Sequence, residues 1–326
     1  MIGGDPTLIS YASYSDTGGR PCNEDTVEIR PMDGERLCAV LADGLGGHGG
    51  GKNASQAAGD LIIQGWDGGA DPERLRALAD QAHQAVLVMQ TPACQMKTTV
   101  VVLALDRDRA AWAYAGDSRL YHFENGHLIW QTRDHSASQI AVLLGQITPR
   151  QIRFHEDRSR IFRALGQKDG GNADVGEIPL TPGRHAFLLC SDGFWEYVDE
   201  EEMEAMRRVS AINDRAMAEF KALLKEGVTE REVSNQIKEI YQRLGADDLS
   251  FPPSVCFGAN AAIGHYRCGD VALKRGDCIL LDVGCRKDSY CADMTRTFFC
   301  GEVSDEEHRR VYELVLQANR AAEAVI

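Results

Sequence analysis

Short apolar runs separated by polar turns fill the stretch KTTVVVLALDRDRAAWAYAGDSRLYHFENGHLIWQT, residues 97–132. Successive side chains of a β-strand point to opposite faces of a sheet, so the period-2 pattern within these runs predicts strands. The segments DRDR and ENG between the runs are typical of tight turns. Strands joined by tight turns pair with their neighbours, and the stretch therefore predicts an antiparallel meander.

Other segments predict the remaining elements of the first two thirds of the chain. The runs LCAVLA and HAFLLC are short, apolar and followed by DGLGGHGGG and SDG, which favours buried strands that end in turns. Helical spacing predicts helices over NASQAAGDLIIQGW and over residues 71–90, 136–144 and 149–164. After Met206, two helical segments that end at Gly precede a strand–turn–strand pattern and a last helix.

Composition restricts the class of protein. A chain of 326 residues with 44% hydrophobic and 26% charged residues is long enough for two globular domains. A net charge of −14 argues against a nucleic-acid or anionic-membrane partner, because phosphate groups select for Lys and Arg. No apolar stretch is long enough to span a bilayer and the ten cysteines form no CxxC pair, so we expect a cytoplasmic protein with reduced cysteines.

Carboxylates recur where the chain leaves a predicted strand. They lie in the short motifs NED, ADG, GDS and SDG, at Glu24, Asp25, Asp43, Asp117 and Asp192. One Asp-Gly pair alone most often marks a plain turn. Four acidic turns together favour a site for hard divalent cations, which take oxygen ligands, and two such ions can activate water against a phosphoryl group.

The motifs that carry these carboxylates resemble the type 2C (PPM) family of metal-dependent serine/threonine protein phosphatases. The matching pieces are SDTGGRPCNEDTVEI, VLADGLGGHGGGKNAS, KTTVVVLAL, AYAGDSRLYHF, RDHS, AVLLGQITPRQIRFHEDRSRIFRALG and FLLCSDGFWEYV. They follow in family order between residue 7 and about residue 205. The resemblance implies an α+β fold, an antiparallel β-sandwich flanked by helices, and hydrolysis of phosphoserine and phosphothreonine by a metal-bridged hydroxide.

The resemblance also implies roles for single residues. Two Mn or Mg ions would be bound by Asp43, the Gly44 carbonyl and Asp192, with Glu24 and Asp25 holding metal-bound waters and Asp117 serving a third, more loosely held ion. Arg20 would bind the substrate phosphate through two parallel hydrogen bonds. His48 would protonate the leaving oxygen, or else would only pack in its glycine loop. The partners implied are phosphorylated proteins and a Ser/Thr kinase.

From about Met206 the sequence resembles the pita-bread metallopeptidases, which include Xaa-Pro aminopeptidases and creatinases. The pieces LKRGDCILLDVGCRKDSYCADMTRTFFCGEVSDEEHRRVYELV and GADDLSFPPSVCFGANAAIGHY carry the resemblance. It implies a partial pita-bread α/β domain in which Asp282 and Asp293, on neighbouring antiparallel strands, face a divalent-metal site. His265 would contact substrate, although Gly264 replaces the usual Pro before it.

We therefore predict a phosphatase-like domain over residues 1–205 and a peptidase-like domain over residues 206–326, joined inside a helix near residues 204–208. The family's last phosphatase aspartate, in an Asp-Asn or Asp-Asp pair that opens a closing strand, has no counterpart after Asp192, because DDLS belongs to the peptidase-like part. The remaining peptidase ligands would lie beyond Ile326. The main hypothesis is a protein phosphatase; the alternatives are an Xaa-Pro aminopeptidase-like enzyme and a catalytically impaired fusion.

Overall fold

The chain divides into two compact units, with the boundary in sequence between Asp199 and Glu200. The structure is a computed structural model that describes residues 9–45, 50–303 and 306–323. No helix in these ranges combines the length and apolar character needed to cross a bilayer.

The described part of the first unit is built from ten strands and four α-helices. The strands are β1 (Thr26–Met32), β2 (Arg36–Ala42), β3 (Gly44–Leu45), β4 (Lys97–Thr98), β5 (Val100–Asp106), β6 (Arg109–Ala115), β7 (Arg119–Glu124), β8 (His127–Gln131), β9 (Asp174–Pro179) and β10 (His185–Cys190). The helices are α1 (Gly50–Gly65), α2 (Pro72–Met89), α3 (Ala137–Leu143) and α4 (Asp192–Trp195), with a 3-10 helix at Pro149–Phe154.

Two antiparallel sheets form the centre of this unit. One has five strands in the order β1-β2-β5-β6-β9, and the other has three in the order β10-β7-β8. Alternate residues of β5 point between the sheets, where Val101 and Leu103 pack with Trp112 and Leu120. The rings of Trp112 and Trp130 meet edge to face at 4.3 Å, a favoured aromatic geometry. The predicted antiparallel sandwich is confirmed.

Helices α1 and α2 cover the outer face of the five-stranded sheet. The intervening residues of β5, Val100, Val102 and Ala104, are fully buried against Ile62 of α1 and Leu78 of α2 in one apolar cluster. This alternation of β5 side chains between two cores explains why the strand is apolar on both faces. Helix α2 starts where predicted, at Asp71, whose carboxylate accepts hydrogen bonds from the backbone N–H groups of Glu73 and Arg74.

Among the longer elements of the first unit, the sequence prediction is wrong for one helix and misses two strands. The predicted helix over residues 149–164 is wrong: only the 3-10 helix forms, and turns follow it. Backbone groups there bond locally to side chains, as when the Asp157 N–H donates to Nδ1 of His155, and this competes with helix formation. Strands β1 and β9 were not predicted. Both are edge strands, and β1 carries Pro31, which is tolerated at an edge.

The described part of the second unit contains three helices and two small sheets. Its elements are α5 (Glu200–Leu223), α6 (Glu230–Arg243), β11 (Asp248–Leu249), β12 (Ser254–Phe257), a 3-10 helix (Gly258–Ala262), β13 (Cys278–Val283), β14 (Cys285–Lys287), β15 (Tyr290–Cys291), β16 (Met294–Phe299) and α7 (Glu306–Glu323). The sheets have the orders β12-β13-β16 and β11-β14-β15, and all pairs are antiparallel.

Helices α5 and α6 pack on these sheets through one apolar core that includes Phe220, Ile237 and Leu281. Helix α6 begins with a capping box: the Glu232 N–H donates to Oγ1 of Thr229, and the Thr229 N–H donates to Oε2 of Glu232. Helix α5 runs unbroken through residues 204–208, where the sequence predicts the join between domains. The α/β character expected of this part is confirmed.

Candidate metal-dependent active site

The acidic turns predicted from the sequence lie at strand ends of the first unit. Asp43 separates β2 from β3, Asp117 follows β6, and Asp25 directly precedes β1. Asp192 follows β10 and is the first residue of α4. Since the sheets are antiparallel, strands that alternate in direction place these four positions at one end of the unit.

A direct contact and mutual charge repulsion show that these carboxylates lie near one another. Oγ of Ser191 donates to Oδ2 of Asp25 at 3.0 Å, and Asp25 also lies within hydrogen-bonding reach of Asp43. Burial raises the pKa of Asp43, and the negative charges of Asp25, Asp192 and Asp117 raise it further. Burial likewise raises the pKa of Asp25. Repelling, buried carboxylates of this kind are stabilised by a cation.

Asp117 is the most enclosed of the four. Its side chain is buried, and its pKa is raised by that burial and by the charges of Asp134 and Asp192. The nearby guanidinium of Arg119 lowers the pKa only in part, because Arg119 is itself engaged by Asp134 through two hydrogen bonds of 2.8 Å. Asp117 therefore belongs to the same electrostatic cluster as Asp192.

Gly44 follows Asp43 in a place where no other residue fits. A Cβ atom on Gly44 would stand 2.4 Å from the backbone C and O of Gly51, at the start of α1. The Gly44 N–H donates to the carbonyl O of Glu24 at 3.2 Å, which ties the NED and ADG turns together. A Cβ on Gly51 would in turn stand 2.9 Å from Cδ of Glu24, so the Glu24 side chain lies beside the same helix start.

Hydroxyl groups connect the turn of Asp43 to the turn of Asp117. The Asp43 N–H donates to Oγ1 of Thr99 at 3.0 Å, and Thr99 Oγ1 shares a hydrogen bond of 2.7 Å with Oγ of Ser118. Oγ1 of Thr98 donates to the carbonyl O of Asp43 at 2.9 Å. Sequence reasoning did not identify these supporting residues or Ser191; the only signal was the pair of threonines in KTT and the serine in SDG.

Of the two residues predicted to act on the substrate, Arg20 lies in the described part of the chain and His48 does not. Arg20 lies in the exposed segment before β1, close enough for its charge to lower the pKa of Asp25. His48 falls in residues 46–49, outside the residues that the structure describes.

The donor set at the acidic turns fits a hard divalent cation in its chemistry, since it consists of carboxylate and carbonyl oxygens. In the conformation described for residues 9–45, 50–303 and 306–323, however, no three His, Cys, Asp or Glu side chains converge on one point closely enough to hold an ion. Asp25 instead accepts a hydrogen bond from Ser191 and lies against Asp43. The ligand set for the ions stays a prediction.

Of the predicted carboxylates of the second unit, Asp282 lies in β13 and Asp293 directly precedes β16. Asp282 is opposite Thr295, whose Oγ1 donates to Oδ1 of Asp282 at 2.9 Å. Asp293 lies two residues before Thr295, which by strand alternation favours the same face. The connection between β13 and β16 is longer than the single turn of the predicted strand–turn–strand pattern, because β14 and β15 form within it.

His265 lies in the exposed loop between β12 and β13, with a backbone φ of 53°. The described contacts show no hydrogen bond or ion pair that links it to Asp282 or Asp293.

Comparison with known proteins identifies the family. The model of the family Protein phosphatase 2C matches residues 16–240, which is more than half of the chain. The chain belongs to the protein phosphatase 2C family. Two solved members of this group are similar to it: the Mycobacterium tuberculosis serine/threonine phosphatase PstP/Ppp, with 28% identity and a TM-score of 0.51, and the Staphylococcus aureus serine/threonine phosphatase Stp1, with 26% identity and a TM-score of 0.53. The match covers 72% and 76% of this chain and 91% and 96% of those chains, respectively.

The second unit is similar to a different family of proteins. The model of Metallopeptidase family M24 matches residues 204–326, and overlaps the protein phosphatase 2C match at residues 204–240. An uncharacterized peptidase of Staphylococcus aureus is 39% identical over 123 residues, which are 38% of this chain and 35% of the relative. The chain thus spans about a third of the length of the curated relatives it matches. Both resemblances expected from the sequence are confirmed, and the protein phosphatase 2C match supports the main hypothesis.

Proposed function

We propose that the first unit is a metal-dependent phosphatase that hydrolyses phosphoserine and phosphothreonine in proteins. The observation that carries the proposal is the meeting of Asp25, Asp43, Asp117 and Asp192 at one end of the sandwich, where burial and neighbouring negative charges raise the pKa values of Asp25, Asp43 and Asp117. The protein phosphatase 2C family and the two solved phosphatases support the same activity.

The residues of the site have separate tasks. Asp43, Gly44 and Asp192 would hold two divalent cations, Mn or Mg, with Glu24 and Asp25 acting through bound waters and Asp117 serving a third ion. Such cations supply an acidified water and neutralise charge on the phosphoryl oxygens. Arg20 would bind the phosphate and orient the ester, and His48 would protonate the leaving oxygen. The substrates would be phosphoproteins, with a Ser/Thr kinase as the opposing enzyme.

Hydrolysis of p-nitrophenyl phosphate and of a phosphothreonine peptide tests the proposal. We expect activity only with Mn or Mg, and a loss of at least a hundredfold in Asp43→Asn. The matched control is Asp108→Asn, which changes an exposed carboxylate in the turn between β5 and β6 by the same one charge. The proposal fails if the full chain has no activity at any metal concentration, or if both variants behave alike.

We also propose that residues 1–205 and 206–326 are separate domains, joined within α5. The start of the M24 match at residue 204 and the division of the chain after Asp199 support this organisation. The second candidate activity, removal of an N-terminal residue from an Xaa-Pro peptide, rests on Asp282 and Asp293. We expect the full chain to release no residue from such a peptide, and release that is lost in Asp282→Asn would instead establish the peptidase.

A further inference from the structure

Trp195 joins two of the acidic turns through its indole ring. It is the last residue of α4, which begins at Asp192, and only 2% of its surface is exposed. Its Nε1–H donates to the carbonyl O of Asp117 at 2.9 Å, across 78 residues of sequence. The SDG turn that carries Asp192 is thereby bound directly to the GDS turn that carries Asp117.

The ring of Trp195 is itself held in place. The guanidinium carbon of Arg119 lies 3.9 Å from its ring centroid, a cation–π distance. Arg119 cannot turn away easily, because Asp134 accepts two hydrogen bonds from it and the Tyr121 hydroxyl accepts a third at 3.2 Å. The indole of Trp195 is thus buried, packed against Arg119 on one face and hydrogen-bonded through its only donor. It therefore holds the carbonyl O of Asp117 in a defined position.

The other side-chain hydrogen bonds between the acidic turns are made by short side chains. Trp195 instead connects two turns through a rigid, buried ring. Ser191 reaches only Asp25, and Thr99 with Ser118 connects only the turns of Asp43 and Asp117. Among these contacts of the described residues, the indole is the one that spans from the helix of Asp192 to Asp117. Groups behind a metal ligand commonly change metal affinity ten- to a hundredfold when they are removed.

We infer that Trp195 is a positioning residue: by its bond to the Asp117 carbonyl it fixes Asp117 relative to Asp192 and so sets the affinity of the acidic site for Mn or Mg. This inference rests on the proposed phosphatase function. Trp195 touches neither substrate nor water in this role, and the chemistry stays with the carboxylates.

The test compares Trp195→Phe with Trp66→Phe in the full chain. Trp195→Phe keeps an aromatic ring for Arg119 but loses the donor to Asp117. Trp66 is the matched control, because it is equally buried and its Nε1–H also donates to a carbonyl, that of Gly69 at 2.8 Å. Mn binding is measured without substrate from the electron paramagnetic resonance signal of free Mn, and the Mn dependence of p-nitrophenyl phosphate hydrolysis is measured separately.

We expect Trp195→Phe to weaken Mn binding about tenfold and to raise the half-saturating Mn concentration equally, with kcat at saturating Mn within about twofold of wild type. Trp66→Phe should leave both values unchanged. Unchanged Mn binding in a folded Trp195→Phe, beside a wild type that hydrolyses the ester with Mn, overturns the inference alone. A wild type that neither binds Mn nor hydrolyses the ester overturns the proposed function and the inference with it.

A second measurement is made on the wild-type chain and does not depend on whether a variant folds. The chain has four tryptophans, so only four indole N–H signals have to be assigned in its nuclear magnetic resonance spectrum. On titration with diamagnetic Mg, the Trp195 signal should shift and saturate with the Mg that binds, while the Trp66 signal stays in place. A Trp195 signal that does not move while Mg binds overturns the inference.

Discussion

Oγ of Ser191 donates a hydrogen bond to Oδ2 of Asp25 across 3.0 Å, although the two residues are 166 positions apart. The hydroxyl does not cap α4, so its bond to Asp25 is its described role. Ser191→Ala should therefore fold normally and leave Asp25 less well oriented. We expect the Mn concentration for half-maximal phosphatase activity to rise several-fold, and Ser191→Thr, which keeps the hydroxyl, to stay near wild type. Equal values for Ala, Thr and wild type would contradict this role.

Replacing Gly44 should damage the first unit. A Cβ at this position meets the Gly51 backbone at 2.4 Å, so Gly44→Ala must push α1 away from the β2 turn. We expect a loss of about 2 to 3 kcal/mol in the free energy of unfolding, measured by urea denaturation followed by tryptophan fluorescence. Gly69→Ala is the control, since a Cβ there makes only an ordinary contact of 3.6 Å with Asp67, and its unfolding midpoint should not move.

Crowding of like charges at the acidic turns should cost stability when no cation is present. Burial and the neighbouring carboxylates raise the pKa of Asp43 to about 9, so at pH 7 folding without metal carries the cost of protonating this group. Asp43→Asn removes that cost, and the variant should melt several degrees higher than wild type in a chelator. Adding Mn should raise the melting temperature of wild type and leave that of Asp43→Asn nearly unchanged. A variant that melts lower than wild type in chelator, or that gains as much from Mn, would contradict the described electrostatics.

His83 should make the first unit sensitive to acid. Nδ1 of this buried ring accepts the Gly166 N–H at 3.1 Å, and burial lowers the pKa of the imidazole. Because the unfolded chain then binds a proton more readily than the folded one, stability is full above about pH 6.5 and falls as the pH drops below it. The urea midpoint of His83→Gln should fall less between pH 7.5 and pH 5.5 than that of wild type. A fall of the same size in both proteins would rule His83 out.

Glu230 should anchor the second unit. Its fully buried carboxylate accepts hydrogen bonds from the Phe257 N–H, the Gly269 N–H and Nδ2 of Asn260. Glu230→Ala leaves these donors unpaired, and we expect a loss of about 3 kcal/mol, seen as faster hydrogen exchange in β12. Glu239→Ala, an exposed glutamate on the same helix, should exchange like wild type. Unchanged exchange in Glu230→Ala would contradict the anchoring role.

Most strands of the two sheets and the acidic turns can be predicted from sequence because both are local patterns. Asp43, Asp117 and Asp192 each follow an apolar run, and the run ends where the strand ends. The helix prediction fails after Phe154 because the spacing of apolar residues does not show that polar side chains there form hydrogen bonds with nearby backbone groups. Edge strand β9 has few apolar residues to reveal it, and its place is decided by pairing with β6.

The residues behind the acidic turns were not predictable, for a related reason. Thr99, Ser191 and Trp195 matter through partners that are remote in sequence, and no local pattern distinguishes a supporting threonine from any other strand residue. Only the folded arrangement of the two sheets shows which hydroxyl and which indole face the aspartates.

The strand order of the two sheets has a consequence for synthesis on the ribosome. Strand β6 pairs with β9 and β7 pairs with β10, so the five-stranded sheet is complete only after Pro179, and the three-stranded sheet only after Cys190, has left the exit tunnel. Pairing strands that are far apart in sequence is slow, and chains are made at about 5 to 20 residues per second. A nascent chain that stalls before Asp192 would thus expose unfinished sheets to chaperones and proteases. Its acidic turns would not yet be assembled into a metal site.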